Sequence, residues 1–511
     1  MTFDIIIFTD ATGLFYKQKT LGAWHIANML RKQGYSCLVI DSFSRYVRDL
    51  PKLKEILDLA MGPNTKMVGF SSTYFTYNLP ENRVWDNWVD YYGLDVPDFW
   101  CGAAIPVVEE FFDLLRSYSP QVKLFYGGVL STHYDDLITY GPPVDYIIVG
   151  IGETHTLNLV NHVFKDTKLK YRLGKDLKTR ILDWDIKASE FDFHSEGAIV
   201  YQPYDVILPG ECLSLQTSRG CMYNCAFCSF PLRGRKRSDG DYHLNWSCLE
   251  EYFRRNYELW GTTRYQIIDD TFNETNEKLR KFRDSVKRSE VPIEWFSFMR
   301  VDLIDDEQLD IMAETDCKTI WVGIETLNPK ALKGIDKKYN PEQALNTLDA
   351  IDKRTQARIY SSILFGLEHD TENDIHGWMK QMIDSPVACI GINPLGTNTR
   401  SPFTSSINKN PEKYGYEFQI NDRYELNWRN NTWDGASAAS FAVEYQTYLW
   451  RSKRNKVSSY ELMALPFHNL AHDDLVNMAI ADLPYAEIIK DYIAKFGVYH
   501  NELINQLELV A

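Results

Sequence analysis

The chain has 511 residues, of which 44% are hydrophobic and 24% charged, values that are ordinary for a globular protein of about three domains. Its formal net charge of -15 disfavours broad binding to nucleic acid, because an acidic chain repels phosphates. Nine cysteines are too few for a disulfide scaffold, and we find neither a signal peptide nor an apolar run near the ~18–20 residues of a membrane span, so we expect a cytoplasmic protein without a membrane partner.

The first 165 residues alternate apolar runs with amphipathic segments, which is typical of an α/β domain with a doubly wound, Rossmann-like parallel sheet. Ligands of such sheets lie beyond the carboxyl ends of the strands. Strands are predicted at Phe3–Phe8, Ser36–Ile40, Lys66–Ser71, Lys123–Tyr126 and Tyr146–Val149, and helices at Leu21–Gly34 and Ile105–Ser117.

Small and hydroxylated residues follow these strands. Glycines let a ligand approach the backbone, and hydroxyls can bond to phosphate or amide groups. A Gly-Gly pair after a strand is equally typical of a tight turn, so both interpretations stay open. The segments are Thr9–Gly13, Ser71–Thr73, Gly127–Thr132 and Gly150–Glu153.

Residues 166–205 lack clear periodicity and are interpreted as a connector. A second strand–helix alternation fills residues 206–404, with helices such as Leu249–Trp260 and Glu342–Thr355. Six strand–helix units predict a partial (β/α)6 barrel of the TIM type, with functional groups at its C-terminal rim. Its strands are predicted at Leu213–Thr217, Tyr265–Ile268, Trp295–Met299, Thr319–Val322, Ile359–Leu364 and Ala388–Ile392.

Three cysteines, Cys221, Cys225 and Cys228, follow the first barrel strand within eight residues. Iron–sulfur cubanes usually take four thiolates, so three with no obvious fourth would leave one iron open to a small molecule. A zinc site is the alternative. It needs four ligands, and the nearest downstream candidates, His243 and Cys248, are oddly spaced.

Two further segments stand out, one by its positive charge and the other by its helical period and aromatic residues. The basic run Arg233–Arg237 is either a solvated loop or an anion contact near the site. Residues 405–511 form a mainly helical C-terminal region, with helical period from Ala436 to Arg454. Its aromatic stripe is expected to be core. The stripe comprises Trp428, Trp433, Tyr445, Tyr448 and Trp450.

The cysteine spacing, with Phe227 before the last cysteine, and the ordered motifs after the other barrel strands resemble the radical SAM superfamily. The resemblance implies a 4Fe-4S cluster on the three cysteines, whose open iron chelates S-adenosylmethionine (SAM). In that family one electron from the cluster cleaves a carbon–sulfur bond of SAM, and the resulting 5'-deoxyadenosyl radical abstracts a hydrogen atom. An electron donor such as flavodoxin or ferredoxin is implied as a partner.

The resemblance also implies which rim residues contact SAM. A guanidinium such as that of Arg300 can hold the methionyl carboxylate in bidentate fashion, and Glu325 can accept from the amine or a ribose hydroxyl. The sequence Asp269-Asp-Thr-Phe272 replaces the Gly-Gly-Glu edge of many members and looks like the form paired with cobalamin domains. The implied SAM contacts are Phe227, Asp269, Arg300, Gly323 and Glu325.

Residues 1–165 are similar in motif order to the cobalamin-binding domain that precedes many radical SAM barrels. The Asp-x-His-x-x-Gly loop of classical cobalamin enzymes is absent, which is compatible with cobalamin but does not support it. His25, His133 and His155 are expected to be surface or core residues rather than cobalt ligands. The implied cobalamin contacts are Thr9, Gly22, Ser71, Ser72, Gly127, Gly128, Thr132, Gly150, Gly152 and Glu153.

The leading functional prediction is a cobalamin-dependent radical SAM methyltransferase acting on an unactivated carbon of a small molecule or peptide, with residues 405–511 capping the barrel. The alternative is oxidation, cyclisation or ring rearrangement without methyl transfer. A methylthiotransferase of transfer RNA is disfavoured, since only Cys37 and Cys101 occur in the first domain, where three more cluster cysteines would be needed. A non-catalytic carrier or sensor is disfavoured because it has no need of Arg300 or Glu325 at a rim.

Overall fold

The computed structural model describes residues 2–10, 18–72, 76–77, 104–105, 108–128, 131–132, 134–183, 193–229, 242–337, 339–396, 405–418, 427–451 and 484–510. The chain divides into two compact units. Unit 1 comprises Met1–Asp192, Ile199–Glu211 and Glu487–Ala511, and unit 2 comprises Phe193–Ala198 and Cys212–Ala486. Within the described ranges, no helix has both the length and the apolar character needed to traverse a lipid bilayer.

Unit 1 is built on a sheet in which β1, β3, β4, β7, β8 and β10 are parallel, with β9 antiparallel at the edge. The order is β3-β1-β4-β7-β8-β10-β9, so the winding direction reverses between β1 and β4. The predicted doubly wound sheet is confirmed. The strands of this sheet are β1 (Ile5–Phe8), β3 (Cys37–Ile40), β4 (Met67–Ser71), β7 (Lys123–Gly127), β8 (Tyr146–Ile148), β9 (Arg172–Leu173) and β10 (Arg180–Leu182). Three two-residue strands of the same part of the chain lie outside it: β2 (Gln18–Lys19), and β5 (Thr76–Tyr77) and β6 (Ala104–Ile105), which pair with each other.

Helices alternate with these strands. In α3, Asp49 caps the first turn by accepting from the amide of Lys52, and Pro51 occupies a position where its missing N–H costs nothing. The helices are α1 (Leu21–Lys32), α2 (Phe43–Tyr46), α3 (Leu50–Ala60), α4 (Glu109–Tyr118), α5 (Tyr134–Tyr140) and α6 (Gly152–Lys165).

The segment interpreted as a connector contributes structure to unit 1. Arg180–Leu182 pairs in parallel with Tyr146–Ile148 and extends the sheet. Further on, Asp205 accepts two hydrogen bonds from Arg31 of α1, at 2.6 and 2.7 Å. A three-residue strand is too short to show a period of two, so its residue pattern does not predict it.

The final helix, which we number α16 (Pro484–Val510), belongs to unit 1 from Glu487 onward, although the sequence grouped residues 405–511 as one region. Phe496, Tyr499, Leu503 and Leu507 enter the core of unit 1. Burying such side chains stabilises by roughly 1.5–3 kcal/mol each. Helical periodicity marks the apolar face of a helix but does not identify the partner that covers it.

Unit 2 carries six parallel strands in the order β16-β15-β14-β13-β12-β11, which confirms the predicted strand–helix units. The strands are β11 (Cys212–Leu215), β12 (Arg264–Ile267), β13 (Glu294–Met299), β14 (Cys317–Glu325), β15 (Arg358–Phe365) and β16 (Cys389–Pro394). Between them and before them lie α7 (Phe193–Glu196), α8 (Leu249–Trp260), α9 (Asn276–Ser289), α10 (Asp306–Glu314), α11 (Pro329–Gly334), α12 (Pro341–Arg354) and α13 (Glu372–Asp384).

The two faces of this sheet differ. Trp295 packs toward the helices, with its ring 5.4 Å from that of Phe282 on α9. On the opposite face, Phe298, Trp321 and Tyr360 occupy paired positions of β13, β14 and β15, with ring centroids 5.0 and 4.3 Å apart. Because all six strands are parallel, their carboxyl ends and the segments that follow meet at one rim.

The segment after β16 covers the end of this sheet. It contains α14 (Ser406–Lys409), the hairpin of β17 (Glu417–Phe418) and β18 (Trp428–Arg429), and α15 (Gly435–Arg451). The core prediction is confirmed for Trp428, Trp433 and Tyr445, which are buried, but Tyr448 is 50% exposed. The side chain of Trp450 lies outside the described residues.

Candidate functional site

The three cysteines lie on a loop that directly follows β11. Cys225 is buried, Cys221 and Cys228 are half-buried, and all three are free of disulfides. The Sγ of Cys221 is 3.2 Å from the Thr271 hydroxyl and 3.4 Å from the amide nitrogen of Tyr223. Burial raises the pKa of the Cys221 thiol, so binding iron there has to release a proton.

The donor set fits a cluster better than a single ion. Among the described residues, no group of three or more His, Cys, Asp or Glu is arranged to hold one metal ion, as a zinc site requires. His243 and Cys248 have other partners, namely Glu274 at 2.8 Å and the Asn245 carbonyl at 2.9 Å. A cubane binds its thiolates through different irons, so three reduced cysteines on one loop are the donors that it needs.

Arg300 follows β13 and lies beside the cysteine loop. Its Nη1 is 3.5 Å from the Sγ of Cys225, and its guanidinium stacks 3.9 Å from the ring centroid of Tyr223. Nε and Nη2 already donate to the Asp302 carboxylate, at 3.1 and 2.8 Å. The structure therefore places the Arg300 guanidinium next to Cys225, with its Nε and Nη2 held by Asp302.

Glu325 ends β14 in a left-handed backbone conformation, with φ of +61°, where the register with β15 shifts. Its side chain is buried, and Lys337 donates to its Oε1 at 2.8 Å and to the carbonyl of Gly323 at 2.5 Å. A Cβ at Gly323 would lie 2.3 Å from Oε1 of Glu325, so this ion pair itself requires glycine there. Phe227 of the cysteine loop packs against Ile335 and Leu367.

Asp269 follows β12 and is held entirely by partners within the described residues. It is fully buried, and its oxygens accept from the backbone amides and hydroxyls of Thr217 and Ser218. The Nζ of Lys278 forms an ion pair with the Asp269 carboxylate at 2.7 Å. These bonds tie the end of β12 to the start of the cysteine loop, which is a structural role. The half-buried neighbour Asp270 has its pKa raised to about 6, by burial first and then by the charge of Asp269.

In unit 1, Thr9, Ser71 and Ser72 lie at the carboxyl ends of β1 and β4, the two strands between which the winding reverses. A topological switch point of this kind is where open α/β sheets bind ligands. Thr9 and Ser72 are buried, Ser71 is half-buried, and the Thr9 hydroxyl is 3.1 Å from that of Thr20.

The candidate glycines of unit 1 divide into two kinds. At Gly128, φ is +104° and a Cβ would lie 2.8 Å from the amide of Ser72, so packing alone requires glycine. At Gly127 and Gly152 a Cβ would meet nothing closer than 3.7 and 3.9 Å. Packing does not explain glycine at those two positions, which fits a ligand that approaches the backbone. Gly150 has φ of +95°.

The remaining candidates are more scattered. Gly22 is exposed in the first turn of α1, and Thr132 is half-buried in a short 3-10 turn. Glu153 is buried, with Oε1 3.5 Å from Nε2 of the buried His25. His155 is also buried. Several predicted features lie outside the described residues: Ala11–Gly13, Thr73, Cys101, His133 and Arg233–Arg237.

Sequence reasoning missed the residues that hold the predicted ones in place. Asp302, Lys337 and Lys278 contact Arg300, Glu325 and Asp269 respectively. Lys337 stands twelve residues after Glu325, a spacing with no periodic meaning, and only the fold brings the two together. Asp302 follows Arg300 closely enough that a local ion pair could have been expected.

The profile described as the Radical SAM superfamily matches residues 215–382, which span the cysteine loop, Arg300 and Glu325. The chain contains a radical SAM domain. Among curated relatives, the uncharacterized methyltransferase PH0819 of Pyrococcus horikoshii is 25% identical over 255 residues, covering 46% of this chain and 52% of that protein. The chain thus spans about half the length of the curated relatives it matches.

Two solved structures share the fold of this chain. The radical SAM methyltransferase TsrM from Kitasatospora setae, solved with tryptophan substrate and the SAM analogue aza-SAM, has a TM-score of 0.59 at 14% identity, covering 85% of this chain and 82% of that chain. OxsB, a cobalamin-dependent SAM radical enzyme solved with aqua-cobalamin and SAM, has a TM-score of 0.53 at 14% identity, covering 99% and 84%. At this identity the two likenesses establish the architecture.

Proposed function

We propose that the protein is a radical SAM enzyme that binds a 4Fe-4S cluster on Cys221, Cys225 and Cys228, with SAM at the open iron. The observation that carries the proposal is a loop of three reduced cysteines directly after the first barrel strand, with a guanidinium nitrogen of Arg300 3.5 Å from Cys225. The cluster would supply the electron that cleaves SAM, drawn from a donor such as flavodoxin or ferredoxin.

The chain's own residues would bind and orient SAM. Arg300 keeps a permanent positive charge on the cysteine side of the rim, because its guanidinium group stays protonated beside the Asp302 carboxylate. That charge attracts a carboxylate, while the carboxylate of Glu325 attracts an ammonium or hydroxyl group. The two groups complement the two ends of an amino acid.

We further propose that unit 1 binds cobalamin, as TsrM and OxsB do by the names of their structures. Its support is the strand-order reversal beside Thr9 and Ser71, and the glycines at 127 and 152 that packing does not require. Cobalamin would act as methyl carrier, and the reaction would be methylation of an unactivated carbon of a small molecule or peptide. The methyltransferase relative supports that choice.

Radical chemistry without methyl transfer is the second candidate, because OxsB, whose structural match covers 99% of this chain, is named as a cobalamin-dependent SAM radical enzyme and not as a methyltransferase. Isotope transfer separates the two. With SAM carrying a deuterated methyl group, a methyltransferase moves the label into corrinoid and product, whereas oxidation, cyclisation or rearrangement forms 5'-deoxyadenosine and leaves both unlabelled.

The proposal is tested by anaerobic reconstitution with iron, sulfide and hydroxocobalamin, followed by absorbance and metal analysis. We expect about four irons per chain, a corrinoid spectrum that survives gel filtration, and formation of 5'-deoxyadenosine once a reductant and SAM are added. Zinc in place of iron, or a reduced cluster that leaves SAM intact, would refute the radical SAM assignment. Loss of the corrinoid on the column would refute its cobalamin part alone.

A further inference from the structure

Lys337 links two parts of the candidate site that are far apart in the sequence. It lies three residues after α11 and is only 5% exposed. Its Nζ is 2.8 Å from Oε1 of Glu325 and 6.0 Å from the ring centroid of Phe227 in the cysteine loop. The backbone reinforces this link, since the carbonyl of Ile335 accepts from the amide of Ala226 at 2.8 Å.

The Glu325 carboxylate depends on this lysine. Among the described residues, Lys337 is its one hydrogen-bond partner, and it uses Oε1 only. A buried carboxylate without a cation would be protonated or would turn away, because burial of an unpaired charge is costly. The lysine therefore holds one oxygen of the carboxylate, and Oε2 has no hydrogen-bond partner among the described residues, which leaves it for a donor from outside the protein.

The backbone conformation around Glu325 also indicates that Lys337 holds this residue in place. The left-handed φ of Glu325 and the register shift after Gly323 turn the side chain out of the regular strand alternation. Non-glycine residues adopt this conformation at a cost, and such a cost persists where surrounding contacts hold it. Lys337 provides two of those contacts at once, one to the Glu325 carboxylate and one to the Gly323 carbonyl.

We infer that Lys337 is the positioning residue that presents the Glu325 carboxylate to a cationic or hydroxyl-bearing group of bound SAM, an inference that rests on the proposed function. Lys337 does not itself touch the ligand. Its removal therefore acts through Glu325, and it weakens SAM binding more than it changes the chemical step.

The test compares Lys337→Met, Lys337→Arg, Glu325→Gln and the double variant Lys337→Met/Glu325→Gln in the full chain with its cluster reconstituted. Lys318→Met is the matched control, because Lys318 forms a 2.7 Å ion pair with Asp316 in the same unit but is 30% exposed. For each protein one measures iron per chain, the thermal unfolding midpoint, the SAM dissociation constant by equilibrium dialysis, and KM and kcat for 5'-deoxyadenosine formation.

We expect Lys337→Met to raise the SAM dissociation constant and KM about 10- to 100-fold, the usual value of a charged hydrogen bond, with iron content retained and kcat changed less. Lys337→Arg restores most of the affinity, and Lys318→Met leaves it unchanged. In the Glu325→Gln background, Lys337→Met adds little, because the two residues act through one carboxylate.

Three results would overturn the inference: unchanged SAM affinity in Lys337→Met, an equal loss of affinity when Glu325 is already glutamine, or loss of iron in both Lys337 variants. The last result would make Lys337 a support of the cysteine loop. Failure of the proposed function is distinguishable, because the unsubstituted protein would then bind no SAM or hold no cluster.

Discussion

Asp269 and Lys278 form an ion pair of 2.7 Å between side chains that are 0% and 1% exposed. The lysine also donates to the Ser218 hydroxyl at 2.6 Å, and Ser218 lies three residues before Cys221. The pair thus joins α9 and the end of β12 to the segment that leads into the cysteine loop. Asp269, whatever else it contacts, therefore anchors the loop that holds the candidate cluster ligands.

Lys278→Met is expected to destabilise unit 2 by about 3–5 kcal/mol, because it leaves the Asp269 charge buried without a cation. Urea unfolding of cluster-free protein under reducing conditions measures this, followed by circular dichroism and by the rate at which a thiol reagent labels Cys221. Lys54→Met is the control, since the Lys54–Asp58 pair is about half exposed and exposed pairs contribute 1 kcal/mol at most. Equal midpoints for the two variants would contradict the anchoring role.

Asp270 makes the stability of the cluster-free protein depend on pH. Burial and the Asp269 charge raise its pKa to about 6 in the folded state, so the folded protein binds a proton more tightly than the unfolded chain does. Stability is therefore lost as the pH rises from about 4 through 6, by at most about 3 kcal/mol. Asp270→Asn should be more stable than the parent at pH 7.5 and equal to it near pH 4. A difference that is independent of pH would refute the assignment.

The strands and the cysteine loop could be predicted because each has a local cause. Buried parallel strands such as Ile5–Phe8 read as apolar runs, and the cysteine spacing is a property of eight consecutive residues. Arg300 and Glu325 were predicted from the resemblance to the radical SAM superfamily, in which the residues at strand ends matter: Arg300 directly follows β13, and Glu325 is the last residue of β14.

The rest depends on partners that are distant in sequence. The Tyr499 hydroxyl accepts a hydrogen bond from the amide of Asp41, which is 458 residues away in the sequence. The periodicity of the last helix does not predict that it packs against the end of that strand. Asp269 and Asp270 are adjacent and chemically identical, yet one is an anchor and the other half-buried at the rim. Strand alternation indicates that they face opposite sides, but not which side carries the ligand.

Replacement of a cluster cysteine should remove iron without unfolding the protein. Cys225→Ser is expected to lower the reconstituted iron content by more than half, because a serine hydroxyl is a poor ligand for iron–sulfur clusters. Cys248→Ser is the matched control: its Sγ bonds to the Asn245 carbonyl and the Ala198 amide, away from the loop. Iron is measured after anaerobic gel filtration, and full iron in Cys225→Ser would remove that cysteine from the donor set.

Gly366 lies at the end of β15 where the aromatic C-terminal segment covers the sheet. Its φ is +94°, and an added Cβ would lie 2.4 Å from Cη2 of Trp428. Gly366→Ala should cost about 2–5 kcal/mol from backbone strain and overpacking, measured by thermal or urea unfolding. Gly377→Ala is the control, since Gly377 is exposed within α13 with nothing near its Cβ; it should stabilise by up to about 1 kcal/mol.

Gly323→Ala tests the ion pair from the backbone side. The new methyl group would lie 2.3 Å from Oε1 of Glu325 and 2.9 Å from Nζ of Lys337, so the two side chains have to move, and we expect their ion pair to be disturbed. Without its lysine the carboxylate loses its fixed orientation, and the SAM dissociation constant should rise at least about 10-fold, since a charged hydrogen bond is lost. Equilibrium dialysis with reconstituted protein measures the change.

Gly334→Ala is the matched control for that variant. It is an exposed glycine at the end of α11, its added Cβ meets nothing within 4 Å, and SAM binding should stay at the parental value. If Gly323→Ala also bound SAM with parental affinity, the Glu325 carboxylate would not depend on its pairing with Lys337. If both variants lost affinity equally, the loss would come from the backbone of unit 2 in general. Weakening confined to Gly323→Ala ties SAM affinity to the geometry of the Glu325–Lys337 pair, because that pair is what the new methyl group displaces.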